Sequence, residues 1–375
     1  MKVLITGGAG FIGTHLARAL LRRGHSVTVL DNFSPQIHGT NTELLPDLRG
    51  EVCLIRGDVR DAAIWASGVG RNEAIVNLAA ETGTGQSMYE IAKYEQVNLG
   101  GTSFLYDLLS RNSNHAVERI VLASSRAIYG EGAYRCREHG RIYPQPRPSM
   151  EKKKSLFDPV CPVCGGACDS IPTPESAPFQ PTSFYGLTKQ VQEQMTLLFG
   201  RTLDIPSFAL RYQNVYGPGQ SLKNPYTGIL AIFSNQARAN EPINIFEDGQ
   251  ESRDFVYIDD VVEATCRAIE CPAPACAAVN VGTGVPVSVS QVVEQIVSYF
   301  GSESSVSISG NFREGDIRHN CADTTYLKQV LNFVPEQGFD EGIKYFLEWV
   351  TTQDLSHRSY ERSLAELRER GLLRG

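Results

Sequence analysis

Lys2-Val-Leu-Ile-Thr6-Gly7-Gly8-Ala9-Gly10-Phe11-Ile12-Gly13 decides the fold. Lys2 to Thr6 reads as a short buried strand, and Thr14 to Arg23, stopped by Gly24, has the spacing of an amphipathic helix. The glycines between them form Gly7-x-x-Gly10-x-x-Gly13. Gly7 allows a tight turn, Gly10 lets a diphosphate approach the backbone, and Gly13 permits close packing of the helix. The helix then begins with free amides and a positive dipole end aimed at the anion, next to Phe11 and Ile12.

A second strand, Ser26 to Leu30, ends in Asp31 and Asn32. An acid at that place accepts hydrogen bonds from both ribose hydroxyls of NAD and repels a 2′-phosphate. Val52 to Arg56 is a third strand, running into Gly57-Asp58-Val59, which suits an adenine edge. Ala74 to Leu78 leads into Ala79-Ala80, and Arg119 to Ala123 delivers Ser124 and Ser125. This alternation predicts an α/β fold, a Rossmann-like doubly wound parallel sheet. Ligands bind at the carboxyl ends of such strands, so the glycine turn and Ser125 are expected to face one crevice.

Further along, Tyr185-Gly-Leu-Thr-Lys189 spells Tyr-x-x-x-Lys. On a helix these positions share one face, and a nearby ammonium favours the phenolate. That is what a general acid/base for an alcohol or carbonyl requires.

The chain has 375 residues, 42% hydrophobic and 21% charged, ordinary values for a globular protein with one large or two interlocked domains. A net charge of −7 offers no general attraction to nucleic acid or anionic membrane. With no long apolar stretch and no leader pattern, the expected location is the cytoplasm. Nine cysteines in a reducing compartment argue for thiols or metal ligands.

Ser125 and Tyr185 are 60 positions apart, and the intervening segment 132–181 reads as an insertion rich in proline and charge. It carries Cys136-Arg-Glu-His139-Gly140 and Cys161-Pro-Val-Cys164-Gly165. Two such knuckles place sulfur and nitrogen at tetrahedral distance from one Zn²⁺, predicting a structural zinc ribbon. Cys168 competes with His139 for the fourth place. Four protein ligands leave no open position, so the metal would fold the loop and do no chemistry. Cys53, Cys266, Cys271, Cys276 and Cys321 are scattered and read as small packing residues. The insertion leaves and rejoins the chain beside both Ser125 and Tyr185, which suggests a lid, a wall or a dimer contact.

With the glycine motif, Asp31, Asp58, Ser125, Tyr185 and Lys189 in this order, the chain resembles the extended short-chain dehydrogenase/reductases, and within them the nucleotide-sugar 4-epimerases. The likeness extends through Arg211 to Pro218, Phe246 to Tyr257, Val279 to Gly284 and Arg313 to Arg318. The segments Gly83 to Ile91 and Ser124 to Tyr134 look like those of dTDP-L-rhamnose 4-epimerases. The resemblance implies tightly bound NAD and a nucleoside-diphosphate sugar as substrate. It implies cofactor contacts from Gly7, Gly10, Phe11, Ile12, Gly13, Asp31, Asn32, Asp58, Val59, Leu78, Ala79, Ala80, Asn98, Tyr185, Lys189 and Tyr212. Substrate contacts fall to Ser125, Arg126, Asn214, Asn224, Arg253 and Arg313. Arginine grips phosphate with a planar pair of donors, so Arg253 and Arg313 are the expected diphosphate clamps.

The implied reaction is transient oxidation at C4, rotation of the keto sugar and reduction from the other face, with Ser125, Tyr185 and Lys189 catalytic. The sugar pair it points to is dTDP-L-rhamnose and dTDP-6-deoxy-L-talose. A UDP-hexose 4-epimerase and a net NAD-dependent nucleotide-sugar dehydrogenase or reductase are the alternatives. Dehydratases and decarboxylases of the family need acids just after the catalytic hydroxyl, where this chain has Arg126 and Ala127. The expected division is 1–212 for NAD, 213–350 mainly for substrate with segments returning to the sheet, and a helical surface tail over 351–375. A homodimer is implied through helices near Asn98 to Ser110 and Tyr185 to Phe199.

Overall fold

The computed structural model describes all residues except 71, 113, 223, 225, 227, 274, 355–358 and 375. Its centre is a seven-stranded sheet built from β1 (Lys2–Thr6), β2 (Ser26–Asp31), β3 (Cys53–Arg56), β4 (Ala74–Asn77), β5 (Arg119–Ser125) and the later strands Ser207–Tyr212 and Cys276–Val281. From one edge the order is Cys276–Val281, Ser207–Tyr212, β5, β4, β1, β2, β3, and each neighbouring pair runs parallel. Both faces are covered, as a parallel sheet requires. Val3, Ile5, Val27 and Val29 pack on one side with Leu16 and Leu20 of α1 (Phe11–Arg22) and with Val261 and Ala264. Leu4, Leu30 and Ile75 point the other way, onto Trp65, Leu105, Leu109 and Phe199. The period-two alternation of these strands thus sorts one apolar run into two cores.

Register aligns the carboxyl ends. Thr6 pairs with Leu30 on one side and Asn77 on the other, and Ser125 pairs with Tyr212. Strand β5 runs two residues past its expected end at Ala123, because Ser124 and Ser125 still have ladder partners in Arg211 and Tyr212. The helix carrying Tyr185 and Lys189 spans Phe184–Thr202, its first turn capped by the Ser183 hydroxyl, which accepts the Gly186 amide at 3.1 Å. The helix expected from Asn98 begins in regular form at Gly101, after a wider π-helical stretch over Glu95–Gly100.

After residue 213 the chain forms a smaller sheet from Asn214–Tyr216, Ser252–Tyr257, Pro286–Ser288 and His319–Asn320. Arg253 lies opposite Asn320 there. Between Tyr257 and Pro286 the chain returns to the large sheet through Cys276–Val281.

Within 132–181, strands Tyr134–Cys136, Gly140–Ile142 and Cys168–Ser170 form a three-stranded antiparallel sheet. Its own core is only Tyr134, Cys136, Ile142 and Cys161. Arg147 ties the segment to the body. It donates to Glu131 and Glu247, each at 2.8 Å, and to the carbonyls of Phe157 and Asp316. Lys152, the first of three consecutive lysines, is buried with its ammonium 4.5 Å from the Phe312 ring centre. Of the scattered cysteines, Cys266, Cys271 and Cys321 are buried, whereas Cys53 is exposed.

The tail corrects one expectation. Residues 355–358 and 375 lie outside the described set, but Ser359–Glu369 is a helix and Leu373–Arg374 pairs antiparallel with Phe312–Arg313. Leu367 and Leu373 are buried, so the tail is docked on the body and is no mere surface appendage. No described helix is long and apolar enough to cross a membrane.

Candidate active site

The glycine turn leaves room for a ligand where side chains would have closed it. Gly7 has φ +65°, and a Cβ there would meet the Ala79 backbone at 3.0 Å. A Cβ on Gly13 would stand 2.5 Å from Gly8 Cα, so α1 could not pack against the turn. Asp31 braces the same turn from β2. Its Oδ2 accepts the Ala9 amide at 2.9 Å and its Oδ1 the Phe33 amide at 2.8 Å. Asp58 is held down at about 2, chiefly by Arg60, and also accepts from Asn32 at 2.9 Å.

These residues line a cavity of about 430 Å³ that runs on to Ser125, Tyr185 and Lys189. Every sequence-predicted cofactor residue lines it except Asn98. Asn98 lies behind the wall, fully buried, accepting the Glu81 amide at 2.9 Å and donating to Thr188 at 3.0 Å. Its place is to hold the loop after β4 against the helix carrying Tyr185. Of the predicted substrate residues, Ser125 and Asn224 line the cavity. The others gather beside it.

Tyr185 is enclosed, and burial raises its phenol pKa. Ser125, whose hydroxyl hydrogen-bonds the phenol, and the positive charge of Arg126 oppose that rise. Ser125 Oγ also accepts the Ala127 amide at 3.1 Å. Lys189 donates to the Ala123 carbonyl at 2.8 Å and to Gln192 Oε1 at 2.9 Å, and burial brings its ammonium down to about 7. Burial thus works against the Lys189 ammonium, and the positive charge that opposes the rise at Tyr185 is that of Arg126. Sequence reading placed Arg126 with the substrate. Its adjacency to Ser125 was the signal for a part in the phenol's electrostatics as well.

Arg126 donates from Nε to Asn214 Oδ1 at 3.1 Å. Burial, then the neighbouring Arg253, lowers its pKa to about 10. Arg253 donates to Asp316 at 2.9 Å and to the carbonyls of Ser252, Ile317 and Arg318. Arg313 stacks on the Phe246 ring at 4.9 Å, and its buried Nε has no hydrogen-bond partner among the described residues. Burial works against the charge of Asp316, yet Arg253, Arg313, Arg126 and Arg147 together hold its carboxyl at about 2. Four guanidinium groups around one carboxylate make an anion-seeking patch at the cavity's end.

The Epimerase family, described as the NAD dependent epimerase/dehydratase family, matches residues 3–149 and 161–282. The chain belongs to it. A dTDP-L-rhamnose 4-epimerase of Burkholderia thailandensis is 37% identical over 96% of this chain and 97% of its own. Two crystal structures share the fold. UDP-glucose 4-epimerase of Thermotoga maritima, with UDP-glucose, superposes with a TM-score of 0.75 at 28% identity, covering 94% of this chain and 99% of its own. UDP-glucose 4-epimerase of Thermus thermophilus, in complex with NAD, gives 0.73 at 26%, covering 94% and 100%. The family match breaks inside the insertion and stops at residue 282, before Arg313, Asp316 and the tail.

Further residues stand at the site: His38 and Glu193 gave no sequence signal, while Gln213 and Arg211 lie in the family-like segment Arg211 to Pro218 and Tyr226 reads, more weakly than Asn224, as a binding residue. His38 lines the cavity 3.5 Å from Asp31, and Tyr226 and Gln213 line it too. Both amide atoms of Gln213 are buried without a partner among the described residues, so it has hydrogen bonds to offer a ligand. Beneath Ser125, Glu193 accepts from Ser124 at 2.6 Å and pairs with Arg211. Arg211 donates in turn to Tyr129 at 2.6 Å.

In the insertion, the ligand atoms of Cys136, His139, Cys161 and Cys164 all lie within 4.8 Å of one another. Cys136 Sγ is 3.6 Å from His139 Nδ1 and 3.7 Å from Cys164 Sγ, and Cys161 Sγ is 3.6 Å from His139 Nδ1. Cys168 stays outside, its thiol on the Gly166 carbonyl.

Proposed function

We propose that this protein is an NAD-dependent nucleotide-sugar 4-epimerase. The observation that carries the reading is that Ser125, Tyr185 and Lys189 line the same cavity as the glycine turn and Asp31. The cradle at Gly7 and Gly13 fits a dinucleotide diphosphate. Bound NAD supplies a hydride acceptor and donor beside the sugar. Tyr185, as phenolate, takes the proton of the C4 hydroxyl, and Ser125 hydrogen-bonds the same oxygen. Lys189 holds the nicotinamide ribose and, with Arg126, favours the phenolate. Arg253 and Arg313 hold the diphosphate while the keto sugar turns, and Tyr185 then returns the proton at C4.

For the sugar we favour dTDP-L-rhamnose and dTDP-6-deoxy-L-talose, supported by the 37% relative. A UDP-hexose is the second reading, favoured by the fold shared with the Thermotoga and Thermus enzymes. Incubation with dTDP-, UDP- and GDP-sugars, followed at C4 by NMR, separates them. Inversion without net NADH formation is expected. Stoichiometric NADH, or no change at C4 with any sugar, overturns the epimerase reading.

We assign the four-residue cluster to one structural Zn²⁺. Zn–S bonds of about 2.3 Å and a Zn–N bond of about 2.0 Å set tetrahedral edges of about 3.6–3.8 Å. The observed spacings of 3.6 and 3.7 Å match those edges. One zinc per chain is expected in purified protein by elemental analysis. Cys161→Ser should release it and open segment 132–181 to protease. A metal-free wild type with that segment resistant rejects the site.

A homodimer is supported by the face of helix Phe184–Thr202 bearing Leu187, Val191, Met195 and Leu198, of which Leu187 and Leu198 are exposed.

A further inference from the structure

The tail lies across the mouth of the crevice. Tyr226 lines the cavity with Ser125 and Tyr185, and its hydroxyl donates to Glu366 of the tail helix at 2.7 Å. The Tyr89 hydroxyl donates to the same carboxylate oxygen at 2.9 Å, and the two phenol oxygens are 2.8 Å apart. Arg370 covers the Tyr89 ring at 4.3 Å. On the first lobe, Leu367 sits where a Cβ on Gly85 would be 3.5 Å away. On the second, Leu373 pairs with Arg313, the Glu314 amide donates to the Leu372 carbonyl at 2.9 Å, and Arg374 meets Glu314 at 3.2 Å. The gap between tail and body is about 10 Å³, too small to hold more than one water. One segment thus bridges both lobes and seats a carboxylate one phenol away from the ligand space.

We infer that residues 359–374 form the outer wall of the substrate site and that Glu366, acting through Tyr226, makes it select an uncharged sugar over a uronate. This rests on the nucleotide-sugar reading of the crevice. The Tyr226 proton is engaged by Glu366 or, in the other sense of the phenol contact, by Tyr89, so the Tyr226 oxygen has a lone pair to offer and no proton. A sugar hydroxyl can donate to it. A sugar carboxylate has no proton to give at neutral pH, so it finds an acceptor where it needs a donor, with the Glu366 carboxylate behind that acceptor. Glu366 is a positioning residue here, acting on substrate through the phenol.

The test uses full-length, NAD-loaded protein titrated by calorimetry with UDP- and dTDP-linked glucose and their glucuronate counterparts. Each pair differs only at C6. Wild type should bind the glucose form on the order of tenfold or more tighter. Glu366→Gln keeps the contacts and removes the charge, so it should bring the two forms within about threefold while NAD affinity stays the same. Leu367→Glu, which sets a charge against Gly85, should weaken both forms and raise hydrogen exchange over 359–374. Unchanged discrimination in Glu366→Gln, or unchanged affinity once Leu367→Glu has freed the tail, overturns the inference. If wild type binds dTDP-L-rhamnose, titrated as a fifth ligand, but none of the four, the inference falls, and if it binds none of the five, the nucleotide-sugar reading itself falls.

Discussion

Replacing Tyr185 by Phe should lower kcat for epimerisation about 10²–10⁴-fold while leaving the fold and NAD binding in place. The phenol lines the cavity with Ser125 and Arg126 beside it, and Phe keeps the ring while removing the group that exchanges the proton. NMR of the sugar C4 measures the rate, and a near wild-type rate would remove Tyr185 from the mechanism. The pH profile carries a second reading. Base catalysis needs the phenolate, so kcat/KM should rise with pH through the Tyr185 pKa. Burial raises that pKa, and the charge of Arg126 pulls it down. Arg126→Met should therefore move the rising limb to higher pH. A shift to lower pH, or none, would show that Arg126 does not act on the phenol.

Glu193→Ala should destabilise the protein by about 3–5 kcal/mol, although no substrate group reaches it in the proposed mechanism. Glu193 is buried, paired with Arg211 and hydrogen-bonded by Ser124. Removing it leaves the Arg211 charge uncompensated in the interior and the Ser124 hydroxyl without its acceptor. Among the described residues Arg211 would keep Tyr129 and the Glu175 carbonyl as partners. Glu193→Gln keeps an acceptor and should lose less. Urea titration of the NAD-free proteins, followed by far-UV circular dichroism, gives the values. A loss below about 1 kcal/mol would mean that Arg211 finds water or another partner when Glu193 is gone.

The NAD half was legible because its chemistry is local. Gly7, Gly10 and Gly13 are required by backbone conformation and close approach within one turn, and Asp31 stands at the end of the next strand. The Cys and His spacing was legible for the same reason, since each knuckle closes within four residues. The fold draws His139 into the cluster with Cys136, Cys161 and Cys164 and leaves the Cys168 thiol on a backbone carbonyl. Asn98 shows the limit of carrying roles over by resemblance. Its position in the chain suits a cofactor contact, but its side chain is spent on Glu81 and Thr188.

By itself, then, the sequence determined the alternating strands and helices, the glycine cradle, Asp31, the Tyr185–Lys189 pair and the Cys/His knuckles. All of these depend on neighbours within a few residues or on one element's periodicity. Tertiary structure alone decided that Arg126 and Asp316 share one charged patch, that Glu193 supports Ser124 and Arg211, and that Glu366 closes on Tyr89 and Tyr226. The hydrogen-bonded pairs among them run from 18 positions apart, for Glu193 and Arg211, to 277, for Tyr89 and Glu366. Nothing in local spacing encodes them, because a charge or hydroxyl acquires its role from what the folded chain brings within about 3 Å of it.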